Sequence, residues 1–177
     1  KEEIITMSPQ QYEEYLTVQE ELEIKFASAH LGSLSKAFYG GLRRASLSLE
    51  KENSPKIVWV VGQIEKNVAN NEKSLVFTNW KESGMLFVKQ LLAKKHIPFA
   101  SIDGDLSEKK RTEMVNAYNS GKIKILLISK AGGEGLDLAE TRHVYLMEPN
   151  WSNNEDEQII GRAIRYLSHK NLPSDQQ

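Results

Sequence analysis

At 177 residues, with 40% hydrophobic and 27% charged side chains, the chain can bury a sizeable core, and its near-globular composition indicates neither disorder nor a membrane class. Lys and Arg number 23 against 24 Asp and Glu, a net charge of −1, which argues against a freestanding basic clamp and confines any nucleic-acid binding to a local surface or one shared with another lobe. The absence of cysteine excludes disulfides and thiolate zinc sites, and His30, His96, His143 and His169 lack metal-ligand spacing.

Ser8-Pro9-Gln10-Gln11 combines a cap-type serine, a proline at the first helical position and a glutamine three residues after the serine, which predicts a helix start. Tyr12, Tyr15, Leu16, Gln19, Leu22 and Phe26 follow at helical spacing and are expected to dock on a neighbour, with Glu13, Glu14, Glu20, Glu21 and Glu23 on the remaining face. A loop over 29–35 and a second short helix from Lys36 to Ser46 come next. The charged, turn-prone run Glu50-Lys51-Glu52-Asn53-Ser54-Pro55 sets a boundary between a helical lead-in, 1–53, and a domain over 54–177.

Ser54-Pro55-Lys56 opens another helix by the same logic, with Ile57, Val60, Val61, Ile64 and Val68 as its stripe. The β-branched content also fits a strand, but apolar positions continue at spacings of three and four beyond Gly62, so the segment reads as a helix. From there the pattern alternates: strands over 74–78, 98–102, 123–129 and 142–148, and helices over 82–95, 107–119 and 153–167. Such alternation predicts an α/β domain with a mostly parallel sheet and crossover helices.

Ligands gather at the carboxyl ends of parallel strands. Ser129-Lys130-Ala131-Gly132-Gly133-Glu134-Gly135-Leu136-Asp137-Leu138 directly follows the apolar run Ile125-Leu126-Leu127-Ile128, and its glycines free successive amides to face an anion. A simple chain-reversing turn is the alternative. In Gln158-Ile159-Ile160-Gly161-Arg162-Ala163-Ile164-Arg165, Arg162 and Arg165 share one helical face and suit a γ-phosphoryl group. Their alternative is ion pairing on a helix that also carries Glu155, Asp156 and Glu157. Thr78, Asn79 and Trp80 end a strand, where hydroxyl and amide groups often position phosphates. Trp80 either stacks on a base or packs on the following helix, and Trp59 belongs to the core.

No Gly-x-x-x-x-Gly-Lys-[Ser/Thr] occurs, so the chain is not expected to complete ATP hydrolysis alone. Glu148, at the end of an apolar run, lacks the accompanying aspartate of a magnesium site, and Asp156-Glu157 follows polar residues instead of a strand. No metal site is expected. The start at Lys1 instead of a methionine is what a piece of a longer protein would show, and no signal peptide is visible.

Taken together, these segments resemble the C-terminal lobe of the superfamily 2 helicases and translocases, the Swi/Snf-type branch in particular. Leu75 to Trp80 is similar to motif IV, Ile102-Asp103-Gly104-Asp105 with Arg111 to the turn that follows it, Ser129 to Leu138 with Glu148-Pro149-Asn150-Trp151 to motif V and its continuation, and Gln158 to Arg165 to motif VI. The tail Arg165-Tyr166-Leu167-Ser168-His169-Lys170-Asn171-Leu172-Pro173 resembles the nucleoside triphosphatase helicases of large DNA viruses.

The resemblance covers about residues 54–173 and implies a RecA-like fold working with ATP and Mg2+, the Mg2+ being held by an N-terminal RecA-like lobe of the same protein. It implies Arg162 and Arg165 as phosphate sensor and finger, Gln158 near the γ-phosphate, and Gly135 and Asp137 on the nucleotide, Asp137 facing the ribose unless it is a helix cap. Thr78, Asn79, Trp80, Ser129, Lys130, Gly132 and Gly133 would meet a nucleic-acid backbone, DNA favoured over RNA. Arg111 is expected to be structural, in a salt bridge with a nearby carboxylate. The setting implied is intracellular: nucleus, cytoplasmic viral factory or virion, with no membrane partner. The competing expectation is a non-catalytic docking module whose lead-in binds another protein.

Overall fold

A computed structural model of the chain describes residues 4–27, 34–47, 54–130, 132, 135–148, 157 and 159–161. The order is α1 (Pro9–Ala27), α2 (Leu34–Leu47), α3 (Pro55–Ala69), β1 (Lys73–Thr78), a π-helical turn (Lys81–Met85) running into α4 (Leu86–Lys94), β2 (Phe99–Ile102), α5 (Glu108–Asn119), β3 (Ile125–Ser129) and β4 (Thr141–Leu146). The strands lie in the order β2-β3-β1-β4, and every pairing is parallel. All four carboxyl ends therefore meet along one side of the sheet.

β1 and β3 are buried along their whole length, which explains their unbroken apolar runs: central parallel strands are covered on both faces. Because side chains alternate across a strand, Val76 and Leu127 face α3 and α4, while Leu75, Phe77, Leu126 and Ile128 face α5. In α3 the predicted stripe is buried at Ile57, Val60, Val61 and Ile64, confirming helix over strand. Trp59 is partly buried against that layer, edge-on to Tyr145 with ring centroids 6.4 Å apart.

The lead-in helices pack on this body. Leu47, at the end of α2, is fully buried with α3 and Met85, and burying a leucine contributes about 1.5–3 kcal/mol. Ser8 caps α1 as predicted, its Oγ accepting from the Gln11 amide at 3.2 Å. Gln11 does not return the cap; its side chain donates to Ser46 O at 3.1 Å, satisfying a carbonyl at the end of α2. The predicted docking face of α1 is accordingly rotated. Gln11 is buried, while Tyr12 and Leu16 are exposed.

Two other expectations change. Residues 81–85 are not α-helical: Met85 N donates to Trp80 O and Leu86 N to Lys81 O, both five residues back. Gly84 is pressed so closely on Thr78 and Leu47 that a Cβ there would lie 2.8 Å from Leu47 Cδ2. The last strand stops at Leu146; Met147 N still bonds Phe77 O at 2.9 Å, after which Glu148 turns back towards β1. Of the helix expected over 153–167, Glu157, Ile159, Ile160 and Gly161 are described as helical, with Ile159 buried on the α5 side.

Candidate nucleic-acid and nucleotide interface

The carboxyl end of β1 is held by a buried carboxylate. Glu148, 1% exposed, accepts from Thr78 Oγ1 at 2.5 Å and from the Asn79 amide at 3.0 Å. Burial pushes the Glu148 pKa up, opposed by the two hydrogen bonds and by the positive charges of Lys56 and Arg43. Burial also lowers the pKa of Lys56, with Glu148 pulling the other way; the ammonium donates to Met147 O at 3.2 Å. Above this cluster the Arg43 guanidinium lies 5.6 Å from the centre of the Trp80 ring.

Three of the expected contact residues are thus placed in detail. Thr78 is 1% exposed with its hydroxyl engaged by Glu148, so it shapes the strand end from within. Asn79 has its amide on Glu148 and is half-buried. Trp80 packs under Arg43 and against the α3–α4 layer. Glu148 is committed to this clamp, and among the described residues no group of three or more His, Asp or Glu forms a metal site.

Next along the edge, Lys81 pairs with Asp103 at 3.2 Å and with Asp105, and these contacts raise the lysine pKa and lower that of Asp105. Ser129 is 8% exposed, and its Oγ accepts from the Gly132 amide at 3.3 Å. Gly132 is obligatory for a packing reason: a Cβ there would sit 2.4 Å from Ile102 O and 2.9 Å from Asp103 Cα. The loops after β2 and β3 therefore touch backbone to backbone. Lys130 is exposed beside them; Gly133 lies outside the described residues.

Gly135 has φ 67°, the left-handed conformation glycine favours. Beyond it, Asn119 clamps the exit of the loop, donating to Asp137 O and accepting from the Ala139 amide, both at 2.9 Å. Asp137 is exposed and, with Gly135 and Leu136, lines a cleft of about 610 Å³ against the first turns of α5. Arg111 lines the same cleft. Among the described residues Arg111 makes no salt bridge with a carboxylate, the pairing expected for it. Gln158, Arg162 and Arg165 lie outside the described residues.

The sequence reading missed Arg43, Lys56 and Lys81, and it placed Glu148 in the continuation of motif V and weighed it as a metal ligand without finding its clamp on Thr78 and Asn79. An acid closing an apolar run, Val144-Tyr145-Leu146-Met147-Glu148, was the signal for a buried carboxylate needing local donors.

Residues 55–167 match the helicase conserved C-terminal domain. The chain is 36% identical over 148 residues to a putative ATP-dependent RNA helicase of Acanthamoeba polyphaga mimivirus, covering 82% of this chain and 33% of that protein. It is 37% identical over 110 residues to a termination factor NPH-I homolog of African swine fever virus, covering 59% and 15% of the two chains. The chain thus spans a third or less of the length of these relatives. Among solved structures it resembles the C-terminal part of the Fun30 ATPase domain, TM-score 0.74 with 16% identity over 93% of this chain and 79% of that one. The Sulfolobus solfataricus SWI2/SNF2 ATPase C-terminal domain gives 0.69 with 18% identity, over 96% and 87%. The described fold, the family match and the viral relatives agree: this chain belongs to the helicase conserved C-terminal domain family, as a RecA-like C-terminal domain of the superfamily 2 helicases.

Proposed function

We propose that the chain is the second motor lobe of a nucleic-acid-dependent ATPase that tracks along DNA, with ATP and its Mg2+ held by a first RecA-like lobe. The observation that carries this reading is the convergence of the loops after β1, β2 and β3 on one sheet edge, with Gly132 packed against Ile102, next to a cleft bordered by Gly135 and Asp137. One edge thereby offers two adjoining surfaces.

In this account Asn79, Trp80, Ser129, Lys130, Gly132 and Gly133 form the nucleic-acid side, and Thr78 positions it through Glu148. Gly135 and Asp137 face the nucleotide. Arg162 and Arg165 stabilise charge on the transferred phosphoryl group, and Gln158 links them to the nucleic-acid side; a finger-type arginine supplies about 10³ to 10⁵ in rate. The deeply buried Glu148 carboxylate at this edge is spent on Thr78 and Asn79. The lobe alone is inactive in this reading. Its setting is intracellular, at a nuclear or viral genome.

The test uses the intact two-lobe protein. ATP turnover should rise on adding duplex DNA, more than on adding RNA of equal length, and Lys130→Ala should weaken DNA binding and reduce the salt slope by about one counterion. Turnover indifferent to nucleic acid would refute the motor reading, and a larger response to RNA would refute the DNA assignment.

A further inference from the structure

Among the described residues α1 is partnered on one side only. Gln11 is buried and reaches Ser46 O at the end of α2, and Leu22 packs so tightly on α2 that a Cβ at Gly41 would lie 2.8 Å from Leu22 Cδ1. Tyr15 and Val18, between them, are half-buried. The outward side carries Tyr12, Leu16 and Ile24, which are 54%, 38% and 75% exposed. With Glu20 between Leu16 and Ile24, these positions recur every fourth residue and form one ridge about 18 Å long. Single exposed apolar side chains are ordinary, whereas a ridge at spacing four is the surface against which a second helix packs.

Charge selects what packs there. α1 carries five glutamates against one lysine, although the whole chain is nearly neutral. Glu13, Glu20, Glu21 and Glu23 are exposed; Glu23 accepts from Gln19 at 2.9 Å, while the side chains of Glu13, Glu20 and Glu21 make no hydrogen bond or ion pair among the described residues. Such a face repels nucleic-acid phosphates, an anionic lipid surface and the same face of a second copy, and it attracts cations. Lysine and arginine suit it doubly, because their methylene stems cover apolar side chains and a guanidinium packs on a tyrosine ring. We propose that the outward face of α1 docks a basic amphipathic helix of a separate protein, its apolar stripe along Tyr12, Leu16 and Ile24 and its cations against Glu13, Glu20 and Glu23. An 18 Å ridge makes an interface at the small end of the range, so the complex is transient. None of these residues belongs to the nucleic-acid or nucleotide surfaces, and the proposal does not rest on the motor reading.

The experiment titrates the intact two-lobe protein into two fluorescent peptide helices and follows anisotropy. One probe carries leucines at spacings of three and four flanked by lysines; the other has glutamate in place of every lysine. Wild type should bind the lysine probe and not the glutamate probe. Leu16→Asp, which breaks the ridge, should weaken binding of the lysine probe about tenfold or more. Glu20→Lys combined with Glu23→Lys should do the same, and this double variant should gain binding of the glutamate probe, a swap that a merely misfolded protein would not show. The substituted positions are exposed, so urea unfolding midpoints should match wild type. Should Leu16→Asp fail to fold, the charge swap carries the test. A lysine probe that wild type does not bind overturns the proposal, as does one bound equally by wild type and both variants. Equal binding of the two probes to wild type also overturns it, by removing charge selection. A wild-type dimer that Leu16→Asp makes monomeric in sedimentation assigns the face to a second copy and overturns it as well. Each of these results leaves the motor reading intact.

Discussion

Two loops leave the same sheet edge and are fixed by opposite means. After β1, the backbone is held by charge: Glu148 grips the Thr78 hydroxyl and the Asn79 amide, with Lys56 and Arg43 as the surrounding cations. After β3, it is held by the lack of a side chain, since Gly132 lies where a Cβ would meet Ile102 O. The first loop should respond to substitutions that unpair buried donors and to pH, the second to added volume. Both positions serve one edge, so perturbing either should alter how the lobe meets nucleic acid.

Glu148→Ala should have the largest effect on stability. It leaves the Asn79 amide without its carboxylate acceptor and the Thr78 hydroxyl with only the long contact to Trp80 O at 3.4 Å in a buried site, at about 1–3 kcal/mol each. Urea unfolding should therefore show a loss of about 2–6 kcal/mol, and a loss below about 0.5 kcal/mol would mean water replaces the carboxylate freely. Glu148→Gln sharpens the comparison through pH. The folded carboxyl has a raised pKa, so its contribution is fully present below the unfolded value and is lost as pH rises through the folded value. Between those two values wild type should lose stability relative to Glu148→Gln as pH rises, with a constant difference above. A difference that does not vary with pH would contradict the burial argument.

Gly132→Ala comes next. The obstruction is backbone, which cannot swing aside, so overpacking should cost about 1–3 kcal/mol. The cost should be independent of pH, and the two loops separating should weaken DNA binding. The smallest effect is expected for Arg43→Ala, where loss of the contact over Trp80 is worth about 0.5–2 kcal/mol. A shift in Trp fluorescence with DNA affinity reduced and an unchanged salt slope would show that Arg43 positions Trp80; a slope reduced by about one would show that it binds a phosphate itself.

Much of the fold was legible because its signals are local. Alternating apolar runs located β1, β2, β3 and α5 to within about two residues, the uncertainty expected at element ends. Spacing of three and four separated α3 from a strand despite its valines and isoleucines. What escaped was set by contacts distant in sequence. The π-helical turn follows from Gly84 meeting Thr78 and Leu47, the rotation of α1 from Gln11 reaching Ser46, and the role of Glu148 from its pairing with the end of β1. At the site, the glycine loop announced itself through composition. The reason for Gly132 did not, because it depends on where β2 ends.

The central claim is that arginines of this lobe complete a nucleotide site on another. Arg165→Ala in the intact two-lobe protein tests it most directly, with DNA-stimulated turnover and ATP binding measured side by side. The account predicts turnover lowered by about 10³-fold or more with ATP affinity largely retained. Turnover within a few-fold of wild type would contradict it.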